Sequence, residues 1–142
     1  MSTYEYSGIN ESVTISLLAG EKLEEPYGVA LKLTEDGAVL PAAGDDVVGI
    51  ALISNQGSVA AGGRVDVQVK DIGFWKAGAG FTQGDLLATD AGGLAQKAAD
   101  GQYVVARALT GAGAKGDLAK VQIINAGKLT QEKITQGGEN DE

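Results

Sequence analysis

Two pairs of neighbouring carboxylates, Glu24-Glu25 before Pro26 and Asp45-Asp46 after Gly44, are the residues of this chain best suited to acid/base work or to holding a hard cation. They lack the usual helpers. The sequence contains no histidine and no cysteine, which removes the commonest general base, the imidazole and thiolate metal ligands, and every nucleophile system built on Ser-His or Cys-His. Any catalysis would fall to carboxylates, Lys or Tyr. Adjacent side chains on a strand point to opposite faces, so neither pair converges on one point. Neither has the spaced oxygen ligands and glycine bend of a calcium loop. Both pairs are expected to be solvated turn charges, with no catalytic residue, no metal and no cofactor.

Two glycine-rich pieces, Gly78-Ala79-Gly80 and Gly111-Ala112-Gly113-Ala114-Lys115-Gly116, invite comparison with phosphate-cradling loops. The second lacks the closing Gly-Lys-Ser/Thr and a helical pattern after it, so both are expected to be tight β turns. Phe74-Trp75 is a different kind of candidate. It is the one neighbouring pair of large non-Tyr aromatics, and rings of this size are enriched where proteins meet. On an alternating strand one ring should face outward, which marks the Phe74-Trp75 loop, lying after a strand, as a candidate interface.

The elements that would carry these residues are strands. In Arg64-Val65-Asp66-Val67-Gln68-Val69-Lys70 three valines fall on one face and polar residues on the other, the signature of a half-buried antiparallel strand. Val13 to Leu18, Gly28 to Thr34, Val47 to Ile53, Tyr103 to Leu109 and Leu118 to Ile124 read the same way. Glu35-Asp36-Gly37, Asp90-Ala91-Gly92-Gly93 and Asp100-Gly101 supply the positive-φ residues of hairpin turns. The stretches with helical character, Val59 to Gly63 and Ala95 to Ala99, are too short to nucleate a helix. The expected fold is all-β, a compact barrel-like or sandwich-like body that limits its exposed edges.

The halves of the chain echo each other. Gly37, Ala42, Ala43 and Val48 recur 56 positions later as Gly93, Ala98, Ala99 and Val104. With one further residue inserted, Val47-Val48-Gly49-Ile50-Ala51-Leu52 aligns with Val104-Val105-Ala106-Arg107-Ala108-Leu109. Gly63 and Val67-Gln68-Val69 are echoed by Gly116 and Val121-Gln122-Ile123. This pattern predicts an internal duplication.

With 142 residues, 44% hydrophobic, 22 Gly, two Phe and one Trp, the chain suits a single body with a core of small aliphatic residues. The expected division is an N-terminal arm over residues 1–10, a β-rich domain over 11–127 and a flexible acidic tail over 128–142. A net charge of −8 opposes nucleic acid as a partner. No apolar run approaches the length that crosses a membrane, and Met1 to Gly8 lacks the pattern of a secretory signal.

The motif order carries a resemblance. Ala19-Gly20-Glu21 is followed by Val48-Gly49-Ile50-Ala51 and Gly63-Arg64-Val65-Asp66-Val67. Then come Gly84-Asp85-Leu86-Leu87-Ala88-Thr89-Asp90-Ala91-Gly92-Gly93 and Gly116-Asp117-Leu118-Ala119-Lys120-Val121. Together, from about Leu17 to Ile124, these resemble the capsid decoration, or cement, proteins of tailed bacteriophages. The resemblance implies a homotrimer made in the host cytoplasm and seated on the outer surface of the virion head. There it would bridge subunits of the major capsid protein. It also implies a terminal arm that reaches the lattice, and by position this is Ser2 to Asn10 with Tyr4, Tyr6 and Ile9. A head-fibre base or tail-associated β module is the alternative, and an all-β enzyme or carrier using Asp or Glu is a third.

Overall fold

The computed structural model describes residues 13–52 and 57–130. They form ten strands and, among the described residues, no helix: β1 (Thr14–Leu18), β2 (Ala30–Thr34), β3 (Gly37–Val39), β4 (Gly49–Ala51), β5 (Arg64–Gln68), β6 (Asp71–Lys76), β7 (Leu86–Thr89), β8 (Ala95–Lys97), β9 (Tyr103–Ala108) and β10 (Leu118–Lys128). The all-β expectation is met by two five-stranded sheets in which all strand pairs are antiparallel. Phe74 and Trp75 lie within β6 and not in a loop. Ala95 to Ala99, with its helical character, instead begins as strand β8. The expected arm falls within residues 1–12, and most of the expected tail within 131–142, outside the described residues. Of the tail's first residues, Lys128 closes β10 and Leu129 is buried.

Strand order is β1-β5-β4-β2-β3 in the first sheet and β6-β10-β9-β7-β8 in the second, the same topology written twice. The duplication extends to residue level. Ala51 pairs with Val67 as Ala108 pairs with Val121, and Leu31 pairs with Gly49 as Leu87 pairs with Ala106. Even the isolated bridges repeat: Ala19 to Ala38 becomes Ala77 to Ala95, and Leu23 to Val59 becomes Phe81 to Ala112. The left-handed glycines Gly28, Gly44 and Gly62 answer to Gly84, Gly101 and Gly116.

Two details of the alignment change. Thr34 pairs with Gly37 across the first hairpin, whereas Asp90 closes on Leu94 across the second. The additional residue therefore lies in the second hairpin turn, and Gly37 corresponds to Leu94. Gly116 corresponds to Gly62, its left-handed counterpart, and not to Gly63: the Gly62 and Gly116 amides donate in the same way to the Ala19 and Ala77 carbonyls.

Each sheet curls until its edges touch at one point. Ala19, just past β1, bridges Ala38 of β3, and Ala77, just past β6, bridges Ala95 of β8. Leu23, Leu31, Val65 and Val67 fill the first core, and Trp75, Phe81, Leu87, Val105, Val121 and Ile123 fill the second. The cores interlock, since Ala30, Val47 and Ile50 pack into the second core while Leu94 packs against the first. Packing across this junction fixes the halves relative to each other, because well-packed interiors do not deform continuously.

Candidate interaction face

The two carboxylate pairs stand in separate turns, each tied to its own surroundings. Asp45 Oδ2 accepts the Ala42 N–H at 2.8 Å and the Lys32 ammonium at 3.1 Å. The Ala42 hydrogen bond foremost, with Lys32, holds its carboxyl below its ordinary value against the partial burial that pushes it up. In the second half the same turn is closed by an uncharged residue, with Gln102 Oε1 accepting the Ala99 N–H at 2.9 Å. An amide fills the same place, so this turn needs an acceptor and not an acid. Glu24 is paired with Lys22 at 3.2 Å and accepts Ser58 Oγ at 3.0 Å; these contacts, Lys22 first, lower its pKa. Glu25 is exposed and left-handed.

The Gly111 to Gly116 loop is a turn, as expected, and its anion acceptor is internal. The N–H groups of Gly113 and Ala114 both donate to Asp117 Oδ2 at 3.1 Å, so the amides a phosphate would use are already engaged. Among the described residues no group of three or more acidic side chains is placed to hold a metal ion.

Phe74 and Trp75 divide as an alternating strand requires. Trp75 is fully buried and Phe74 is 52% exposed. The indole N–H donates to the Gly93 carbonyl at 2.8 Å, meeting the requirement that a buried Trp find a polar partner. Phe74 lies on an outward face with Ile72, and across the pairing register with Leu118, Lys120 and Gln122 of β10. Ile72 and Leu118 are exposed as well. Arg107 of β9, opposite Gln122, and Lys76 of β6 bring the cations of this face to three, with Lys120. In a chain of net charge −8, that is a local reversal of sign.

The duplication supplies an internal comparison. At the positions equivalent to Ile72, Phe74, Leu118 and Lys120, the first half carries Thr14, Ser16, Arg64 and Asp66. Ser16 Oγ donates to Asp66 Oδ1 at 2.7 Å. At these four positions one copy is polar, with Ser16 and Asp66 bonded to each other, and the other is apolar and cationic; the counterpart of Lys76 is the exposed Leu18. Part of the difference is packing, since Lys76 and Leu118 lie against Gly28 of the first half, while Ile72 and Phe74 remain more than half exposed.

Beside Phe74 opens a cavity of about 250 Å³ at the junction of the halves. Tyr27, Leu52, Gln68, Phe74 and Leu118 surround it, with buried Ile50 and Ala51 of β4. Its shape is secured by the β5–β6 connection. Gln68 Nε2 donates to the carbonyls of Lys70 at 2.8 Å and Ile72 at 2.9 Å, and Gly73 leaves the space that Gln68 occupies. The Lys76 ammonium lies 5.1 Å from the centre of the Tyr27 ring, and the Lys76 N–H donates to the Gly28 carbonyl at 2.9 Å. The sequence singled out Phe74 but not Tyr27, Leu52 or Leu118, since nothing local signals that three distant segments meet. Tyr4, Tyr6 and Ile9 lie outside the described residues.

These features define a duplicated all-β module with one differentiated face. No protein-family model matches the sequence, and no curated protein matches it. Among solved structures the fold is similar to that of the head fiber gp8.5 N base of bacteriophage phi29. The TM-score is 0.60 at 21% sequence identity, covering 85% of this chain and 100% of that one. The likeness is one of fold.

Proposed function

We propose that this chain is a structural protein of a bacteriophage virion, mounted on the outer surface of the head through its apolar and cationic face. The observation that carries the proposal is the fold shared with the phi29 head fiber base over the whole of that chain. The resemblance to decoration proteins, drawn from motif order, points independently to the same location. A differentiated face on one half suits a protein that attaches on one side. The arm residues Tyr4, Tyr6 and Ile9 add contacts to the major capsid protein, and many modest contacts in a repeating lattice combine through effective concentration.

Two refinements follow from two observations. The motif order favours a cement role, in which a homotrimer bridges major capsid subunits and stiffens the head. The phi29 likeness favours a base that carries an appendage. Mixing the pure protein with expanded, undecorated heads and sedimenting them tests the shared proposal. Saturable co-sedimentation is expected, and its absence overturns the head-surface reading. Heating the decorated and bare heads then separates the refinements. A raised disruption temperature supports cement, whereas unchanged heads together with a missing projection on virions lacking the protein support a base. Light scattering on the free protein tests the trimer.

A further inference from the structure

The cavity beside Phe74 has no occupant among the described residues, and its size restricts what can enter. At about 250 Å³ it is smaller than the ~300–1,000 Å³ of typical small-molecule sites, yet it is bordered largely by apolar groups. A cavity of that kind accepts a side-chain anchor, usually aromatic.

The chain itself provides one. Residues 1–12 contain Tyr4, Tyr6 and Ile9, with the carboxylates Glu5 and Glu11 and no Lys or Arg. Their attachment point is close to the cavity. The Val13 carbonyl accepts the Val69 N–H at 3.0 Å, and Thr14 is the strand partner of Gln68, which lines the cavity. Tyr6 lies seven positions before Val13 in sequence, enough for roughly 23–25 Å of extended chain. Tyr4 and Tyr6, two apart, fall on one face of an extended segment. The adjoining face carries Lys76, over the Tyr27 ring, and Lys120, opposite Phe74, and the segment is acidic.

We propose that the N-terminal segment of this chain docks on its own body, with one of the rings of Tyr4 and Tyr6 in the cavity and the other against the exposed Ile72 and Phe74. The short tether raises the local concentration of the segment to the order of millimolar, so modest affinity suffices. In the free protein arm and face then form one composite surface, with Glu5 and Glu11 offsetting the cations around it, and the arm leaves this site when its residues contact a head. This inference goes beyond the virion role and does not depend on it.

The full-length chain has no cysteine, so Ser7→Cys creates a single attachment point for a nitroxide label. In isotope-labelled protein, selective loss of the Ala51, Leu52 and Leu118 NMR signals is expected, and Tyr4→Ser/Tyr6→Ser in the same background should restore them. Mixing labelled copies that carry no isotope with isotope-enriched copies that carry no nitroxide separates the possible occupants. Signal loss confined to the doubly labelled chain supports docking on its own body. Equal loss in the mixture overturns it in favour of a second copy, and no selective loss in either sample overturns it outright.

Discussion

The indole N–H of Trp75 and the backbone of Gly93 are joined by a 2.8 Å hydrogen bond, and the same Gly93 carbonyl accepts the Ala30 N–H at 2.8 Å. One acceptor thus ties the buried ring of the second half to a strand of the first. It is available because the second hairpin turn is one residue longer than the first. Gly93 takes a φ of +82°, and a Cβ there would overlap Val29 and meet the Ala30 carbonyl at 2.6 Å.

Gly93→Ala is therefore expected to destabilise the protein by about 3 kcal/mol, combining left-handed strain with a clash that must displace the junction. Gly62→Ala is the control. Its φ is also left-handed, at +86°, but a Cβ there meets nothing, so only about 1–2 kcal/mol is expected. Urea unfolding of the two variants gives the comparison, and equal losses would contradict the proposed role of the junction.

Neighbouring aromatics should respond oppositely. Trp75→Ala removes a fully buried ring and should cost about 3–5 kcal/mol. Trp75→Phe keeps most of the packing and loses one hydrogen bond, for about 1–2 kcal/mol with the accompanying volume change. Phe74→Ser should leave the melting temperature almost unchanged while weakening co-sedimentation with heads. A large loss of stability in Phe74→Ser with normal head binding would refute the functional assignment of that face.

Asp45 gives a prediction with a sign. Its folded pKa is lowered, so its ionised form stabilises the fold above the unfolded-state pKa. That contribution is lost as the pH falls through the lowered folded value. Asp45→Asn should flatten this acid-side loss and remain near wild-type stability at neutral pH, as Gln102 does in the other half. Asp45→Ala should cost about 1 kcal/mol at neutral pH by leaving the Ala42 N–H without its partner. Urea midpoints measured from neutral to acid pH check both.

Deleting Ser2 to Gly8 should leave the far-UV spectrum and unfolding cooperativity unchanged, since every described strand begins later, while reducing affinity for heads. An unchanged binding isotherm would show that Tyr4 and Tyr6 take no part in attachment.

What the sequence disclosed depended on whether a strand has one wet face. β5 alternates Val65 and Val67 with polar neighbours and was plain. β6 was not, because Ile72 and Phe74 are apolar on the outward face while Trp75 fills the inward one. An exposed apolar face destroys the alternation that reveals a strand, so the site concealed its own element. β3 and β8 have three residues each, too few to show a period of two. The duplication was legible where Val67-Gln68 and Val121-Gln122 repeat both identity and pairing. It slipped at the hairpins, where the shared glycine type of Gly37 and Gly93 drew the alignment away from the pairing partners. The cavity was invisible, because Tyr27, Leu52 and Leu118 meet only through the packing of the two halves.

The bonded Ser16–Asp66 pair on the first half has a consequence for assembly. A duplicated module starts with two equivalent adhesive surfaces, and a molecule with two such ends can link particles to one another as readily as it can coat them. With Ser16 and Asp66 bonded to each other, the apolar and cationic character at these positions is confined to one copy of the face. If that face is the one that docks, contact at these positions comes from the second half alone, while the first half keeps Leu18, Leu33 and Leu40 exposed elsewhere on its surface.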